Sequence, residues 1–358
     1  MTALTSRDLK TLHQAVLRAE QIIKYGVQEL SDCFAENPRL KISPSNQCTG
    51  ACLHCVSDST LTGKVMPYED FSRIDPRFFQ MFSAADFGRS GNPLLYHSGS
   101  CDMVDLMRAL NDNGINKFSS ALALQTNRLP EIRRLEELVS EKGAEIRVMV
   151  TYHHYHDNLD PAKLASDFNS TLKQYFGFSK RITISLLGDS YPQQGSTKAE
   201  EVKKTFHENW SAIFADIEIT LTKNSQSYFA RYNSKEAKIK IPSVNTRVYP
   251  LGRFREYLSG KGILTPYEEH FRRQKRDYAC PDLLKWSGLL IEPDGSVNLC
   301  ASFESMYCRK AVVANIFTEP YSEVERKLRE FHHREMKWFV RNIEGIISGT
   351  VPTCKLRS

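Results

Sequence analysis

The chain reads as an α/β protein: a partial (β/α)6 barrel followed by a small C-terminal β-hairpin and helix. Three observations predict this. Short apolar runs alternate with longer amphipathic stretches between residues 40 and 225, the mark of a parallel sheet covered by helices. About six such units are present, too few for a closed eight-stranded barrel and suited to an open one. The turn signal Pro293-Asp294-Gly295 then falls between two apolar runs near the C-terminus, where it predicts a hairpin.

The elements follow in chain order. Residues 5–35 place Leu9, Leu12, Val16, Leu17, Ile22, Ile23, Val27 and Leu30 at helical spacing, which predicts one or two helices. The runs 40–43, 93–97, 121–126, 146–151, 182–187 and 217–221 are the expected strands. The stretches 104–113, 130–142, 161–176 and 197–214 are the expected helices between them. Past residue 224 the regularity stops, and short β-like pieces lead into a basic, aromatic linker over 267–278. A second unit starts at Cys280, with a hairpin over 288–300 and a helix over 322–339. The expected divisions are an N-terminal helical segment (1–38), the partial barrel (39–225), its end and linker (226–278) and the C-terminal unit (279–358).

Composition narrows the function. A hydrophobic share of 41% with 25% charged residues is ordinary for a soluble globular chain. The net charge of +6 is mild, and Lys and Arg are interspersed with Asp and Glu, so neither nucleic acid nor a membrane is an expected partner. No window approaches the roughly 18 consecutive apolar residues of a membrane span. The N-terminus lacks a basic segment followed by an apolar one, so a reducing cytoplasm is the expected location. There, nine cysteines imply metal or catalytic use more than disulfides.

Three of them, Cys48, Cys52 and Cys55, share one loop after the first expected strand with the spacing C-x3-C-x2-C. Chance produces such spacing in on the order of 1 in 200 chains of this length and cysteine content. Soft thiolates suit an iron–sulfur cluster, and three ligands on one loop leave the fourth iron of a cube open. A structural zinc site is the alternative. It wants a fourth protein ligand, which His54 is poorly placed to supply.

On these residues the chain resembles the radical S-adenosylmethionine (radical SAM) superfamily, over about residues 40–225. The resemblance implies a SAM-binding 4Fe–4S cluster, reductive cleavage of SAM to a 5′-deoxyadenosyl radical and hydrogen abstraction from a substrate. It also implies an external electron donor such as a flavodoxin or ferredoxin. The family has a Gly-Gly-Glu loop after its second strand. The segment matched to it here is His97-Ser98-Gly99-Ser100-Cys101-Asp102, which lacks the Glu. Ser98, Gly99, Ser100 and Asp102 are therefore the expected SAM contacts, joined by the strand-end residue Asn127 and by Ser185 on the fifth strand.

Cys280, Cys300, Cys308 and Cys354 remain in the last quarter. The spacing Cys280-x14-Gly295-x4-Cys300 resembles the signature of SPASM and twitch domains. Pro250-Leu251-Gly252-Arg253 resembles the stretch that links barrel to such a domain, and Val313-Ala314-Asn315-Ile316-Phe317 another of its segments. Four cysteines imply one auxiliary 4Fe–4S cluster, with Arg253 as a further cofactor contact; a zinc ribbon is the alternative.

Other candidates come from position. Cys101 can donate a hydrogen atom to a substrate radical, or be a small filler. His153 and His156, in the run Tyr152-His153-His154-Tyr155-His156-Asp157, end the fourth strand and can bind substrate or move protons. His332 and His333 fall on the C-terminal helix and read as surface residues, and Cys33 as a buried filler. The expected function is modification of a peptide or protein. The alternatives are dehydrogenation or rearrangement of a small molecule such as an amino-sugar, and a zinc-binding interaction protein without redox chemistry.

Overall fold

The computed structural model describes residues 6–48, 59–88, 91–123, 129–153, 182–189, 218–221, 227–232, 235–240, 255–256, 259–260, 262, 285–299 and 312–348. The chain opens with helix α1 (Ser6–Tyr25), a 3-10 turn (Leu30–Cys33) and strand β1 (Phe34–Ile42). Two short helices, α2 (Tyr68–Ser72) and α3 (Pro76–Phe79), precede β2 (Ala84–Phe87). A two-residue pair, β3 (His97–Ser98) and β4 (Cys101–Asp102), leads into α4 (Met103–Asp112), β5 (Lys117–Ala123), α5 (Leu129–Lys142), β6 (Glu145–His153) and β7 (Ile182–Asp189). Then come β8 (Glu218–Leu221), β9 (Ser227–Tyr232), β10 (Lys235–Lys240), β11 (Trp286–Ile291), β12 (Ser296–Asn298) and β13 (Val312–Asn315). Helices α6 (Tyr321–Arg341) and α7 (Ile343–Ser348) close the described chain.

Among the described residues, eleven strands form one sheet in the order β13-β12-β11-β1-β2-β5-β6-β7-β10-β9-β8. Its centre, from β11 to β10, is parallel, and antiparallel strands flank it on both sides. The expected α/β class is observed as this parallel-rich sheet.

Period-2 alternation sorts its faces. Leu289, Leu40, Ala85, Phe118 and Ile146 lie in one register across five strands, and all five are buried. Onto this row pack Val104, Leu106, Met107 and Leu110 of α4 and Leu135, Leu138 and Val139 of α5. Each such side chain contributes about 1.5–3 kcal/mol when withdrawn from water. The next register, Lys41, Asp86, Ser119 and Arg147, is polar, and Arg39 donates to Asp86 through two hydrogen bonds of 2.5 and 2.8 Å.

Three expectations are corrected. The second strand is Ala84–Phe87, not the run 93–97. Pro93 opens a 3-10 turn (Pro93–Leu95) capped by Asn92, and the run is apolar because Leu94 and Tyr96 are buried. The 217–221 run is β8, which pairs antiparallel with β9 at the sheet edge; the parallel neighbour of β7 is β10. His332 is wholly buried, edge-on to the Trp286 ring at 5.0 Å, because Val324, Leu328, His332 and Met336 form one stripe along α6.

Two expectations are observed. Cys33 is buried, with its thiol pushed up to about 12 by burial and by the neighbouring Asp32 carboxylate. The hairpin at 293–295 is present as β11–β12. Its first strand runs parallel to β1, so the C-terminal strands extend the same sheet. Helix α1 packs on α6 through Ala15 and Ala19 against Met336 and Phe339. Among the described residues no helix is long and apolar enough to cross a membrane.

Candidate active site

The site is built outward from the end of β1. Beyond Ile42 the chain continues as a stem that its own return segment holds in place. Ser43 N–H donates to the Ile291 carbonyl at 2.9 Å, and Met66 N–H donates to the Pro44 carbonyl at 2.8 Å. Bridges link Ser45 to Val65 and Gln47 to Thr60. Asn46 N–H reaches the Lys64 carbonyl at 3.1 Å, and Cys48 N–H the Thr60 carbonyl at 2.9 Å. Cys48 thus leaves the C-terminal edge of the parallel sheet on a pinned stem, the edge where strand–helix folds carry their chemistry. Its side chain is half-buried. Cys52 and Cys55 lie outside the described residues, and among those described no three His, Cys, Asp or Glu side chains cluster as metal ligands.

A third segment braces the stem from the far side. Asn92 N–H donates to the Gln47 carbonyl at 2.7 Å, and Gly91 N–H donates to the Ser59 hydroxyl at 2.9 Å. Gly91 has φ +66°, and a Cβ built on it stands 2.4 Å from the Gln47 carbonyl oxygen and 2.8 Å from that of Ser45. No other residue fits there without moving the stem. The segment past the observed second strand that braces the stem is therefore Gly91–Asn92, and it meets Gln47, the residue before Cys48. The sequence reading missed Gly91 and Asn92 because it placed the second strand one segment too late. The signal that finds them is Asn92-Pro93, a cap followed by a first-turn proline.

The residues first matched to that loop have other partners. Ser98 lies on β3 and accepts the Tyr68 N–H at 2.9 Å through its hydroxyl. Gly99, with φ +60°, and Ser100 form the exposed tip. Asp102 caps α4, accepting from Val104 N–H at 2.8 Å and Asp105 N–H at 3.2 Å, while Asp105 accepts the Asp102 N–H at 2.9 Å. Arg134 of α5 pairs with Asp102, and with Asp105 at 2.7 Å. Burial works to raise the Asp105 pKa, but the Asp102 N–H and Arg134 outweigh it and hold the group below the ordinary carboxylate value. With both its oxygens engaged inside the protein, Asp102 serves the α4–α5 corner.

Cys101 is half-buried beside the tip of the same small hairpin, paired with Ser98. Tyr96 and Tyr68 nearby are both raised in pKa, by burial first, with Cys101 adding to it. Ser185 sits on β7 in register with Met149 of β6 and Lys238 of β10, and His153 ends β6 in register with Asp189. Asn127, His156, Arg253, Cys280, Cys300, Cys308 and Cys354 lie outside the described residues.

The hairpin between Cys280 and Cys300 is described at its turn. Gly295 has φ +79°, and a Cβ there stands 2.4 Å from the Phe317 ring. Asn315 donates its side-chain N–H to the Asp294 carbonyl at 2.8 Å and accepts from Phe317 N–H and Thr318 N–H. Lys64, on the return segment of the Cys48 stem, pairs with Asp294 at 3.7 Å. The turn and the stem therefore share one edge of the sheet.

No family model and no curated protein sequence matches the chain. Among solved structures it is similar to Streptococcus suis SuiB bound to S-adenosylmethionine, at 14% identity over 90% of this chain and 72% of that one, with a TM-score of 0.38. It is also similar to Streptococcus suis SuiB bound to the precursor peptide SuiA, at 13% identity over 90% of this chain and 70% of that one, with a TM-score of 0.38.

Proposed function

We propose that the chain is a radical SAM enzyme that acts on a peptide or protein. One observation carries the reading: Cys48, the first cysteine of a C-x3-C-x2-C loop, leaves the C-terminal edge of a parallel sheet on a stem pinned from two sides. A cluster held by three residues of one loop needs its first ligand anchored, and Thr60, Gly91 and Asn92 anchor the backbone up to Cys48. The residues present fit the group. Cys48, Cys52 and Cys55 would hold a 4Fe–4S cluster through three soft thiolates on one loop, leaving one iron open. When bound, the cluster supplies the electron that cleaves SAM to the 5′-deoxyadenosyl radical, which takes hydrogen from the substrate.

The protein's own part is to hold these groups and to exclude water. The apolar face of the sheet is closed by α4 and α5, whereas the register of Lys41, Asp86, Ser119 and Arg147 is polar. Ser185 and His153 belong to strands of the same sheet and are proposed to face cofactor and substrate. Cys101 is proposed as a thiol beside the substrate. In the same reading Cys280, Cys300, Cys308 and Cys354 bind one auxiliary cluster in a C-terminal unit from residue 279, an external flavodoxin or ferredoxin supplies electrons, and the compartment is the reducing cytoplasm.

Anaerobic purification tests it. About eight irons per chain, a broad band near 400 nm and 5′-deoxyadenosine on reduction with SAM are expected. Zinc without iron overturns the reading in favour of a zinc-binding protein. Replacing Cys48, Cys52 and Cys55 with Ala must abolish deoxyadenosine; its survival means the reactive cluster lies elsewhere.

A further inference from the structure

Register carries one side assignment across the centre of the sheet and out to β10. Arg147 of β6 lies between Ser119 of β5 and Thr183 of β7, in the polar row of Lys41 and Asp86. Two residues on, Met149 is in register with Ser185 of β7, and Ser185 with Lys238 of β10, so Lys238 shares the face of Arg147. Lys240, in register with Leu187, shares it too. Lys235, Ala237 and Ile239 alternate with these and fall on the opposite face. The cross-strand neighbours of the three cations are neutral: Ser119 and Thr183 for Arg147, Ser185 and Phe229 for Lys238, Leu187 and Ser227 for Lys240. Acids on the same face have basic residues beside them. Arg39 binds Asp86, and Lys117 is in register with Glu145. Arg231 lies between Glu218 and Glu236, and His153 is in register with Asp189.

Resting on the reading that the chain acts on a peptide, we infer that this face binds an acidic peptide segment, with Arg147, Lys238 and Lys240 receiving its carboxylates. Strands stand about 4.8 Å apart and rise about 3.3 Å per residue, so Arg147 and Lys238 start about 12 Å apart and Lys240 lies about 7 Å beyond. The cations form a line, not a point. A line suits carboxylates carried along an extended chain, whereas one small anion gathers its donors around itself. Lys238 and Lys240, two residues apart on one face, repel each other, and a bound carboxylate relieves that repulsion. The line runs toward the C-terminal ends of the parallel strands, the edge of the sheet that Cys48 leaves.

The test measures fluorescence anisotropy of labelled peptides of about twelve residues with the anaerobically reconstituted full chain, at low salt and again at about 0.3 M. One peptide carries Glu at every third position, and the other carries Gln at the same positions. The Glu peptide is expected to bind about tenfold more tightly at low salt, and its advantage should shrink as salt rises. Lys238→Gln is expected to weaken the Glu peptide about fivefold and the Gln peptide by less than about twofold. Lys235→Gln removes the same charge from the other face of β10 and is expected to leave both peptides within about twofold. Lys238→Arg should retain the preference. Equal binding of the two peptides, or equal loss in Lys235→Gln and Lys238→Gln, overturns the inference. If Lys238→Gln fails to fold by thermal melting, Lys240→Gln takes its place with the same expected loss. Free glutamate that displaces the Glu peptide at equal carboxylate concentration overturns the inference in favour of a small anion. A single-stranded oligonucleotide that binds more tightly than the Glu peptide, and loses affinity in Lys238→Gln, overturns it in favour of nucleic acid. Protein that makes 5′-deoxyadenosine yet shows no preference for the Glu peptide overturns this inference alone. Zinc-loaded, iron-free protein that keeps the preference overturns only the radical SAM reading.

Discussion

Gly91 and Gln47 touch backbone to backbone: a Cβ on Gly91 would stand 2.4 Å from the Gln47 carbonyl oxygen, which also accepts the Asn92 N–H at 2.7 Å. The contact braces the backbone immediately before Cys48. Gly91→Ala adds both a clash with the stem and a side chain at positive φ. It is expected to cost about 2–4 kcal/mol of stability and to lower iron uptake. Urea unfolding and iron analysis check this; unchanged stability would show that the stem tolerates displacement.

Asn315 secures the turn of the C-terminal hairpin with one donated and two accepted hydrogen bonds. Asn315→Ala removes all three and leaves backbone groups at Asp294, Phe317 and Thr318 without that partner. The expected loss is about 1–3 kcal/mol. Hydrogen exchange should quicken at Phe317 and Thr318 first, before the central strands respond.

Arg134 lies between two carboxylates whose side chains are 8% and 17% exposed, those of Asp102 and Asp105. Arg134→Met leaves them facing each other at the α4–α5 corner with only Arg108, 3.3 Å from Asp105, as a remaining cation, at an expected cost of about 1–3 kcal/mol near neutral pH. The sign of the pH dependence follows from the lowered Asp105 pKa. Its stabilisation is present above the unfolded carboxylate value and is lost as pH falls through the folded one. In Arg134→Met the two carboxylates repel, so acid should relieve part of the damage. The gap between variant and unaltered protein is expected to narrow as pH drops from 7 toward about 4.

Cys33, with its thiol pushed up to about 12, stays protonated where an unfolded thiol ionises. Iodoacetamide at about pH 8 is expected to leave Cys33 unlabelled in the native protein and to label it in denaturant, read by peptide mass spectrometry. The folded state holds the proton more tightly, so this group's contribution to stability is complete below the unfolded value of 9.0. It falls away as pH rises from there through the folded value of about 12. Cys33→Ser removes that alkaline loss.

Much of the fold is written locally. Helical spacing over the N-terminal residues produced α1, and β1, β5, β6 and β7 were readable because short apolar runs recur between longer amphipathic stretches. The second strand escaped notice because Ala84–Phe87 is four residues long with Asp86 inside it, while the neighbouring apolar run owed its character to burial of a 3-10 turn. His332 escaped for a related reason. A histidine among charged residues reads as surface until the Trp286 ring is found against it.

By itself the sequence determined the kinds of elements, their order and the three-cysteine loop, all of which rest on spacings within a few residues. Only the tertiary structure decided which segments meet. It set β11 beside β1 with Leu289 in register with Leu40, closed Gly91 onto Gln47, and gave Asp102 to Arg134. These are contacts between segments distant in sequence, selected by which apolar rows can share a face and which backbone groups find partners. No local pattern encodes them, because either side of each pair satisfies its own local preferences without the other.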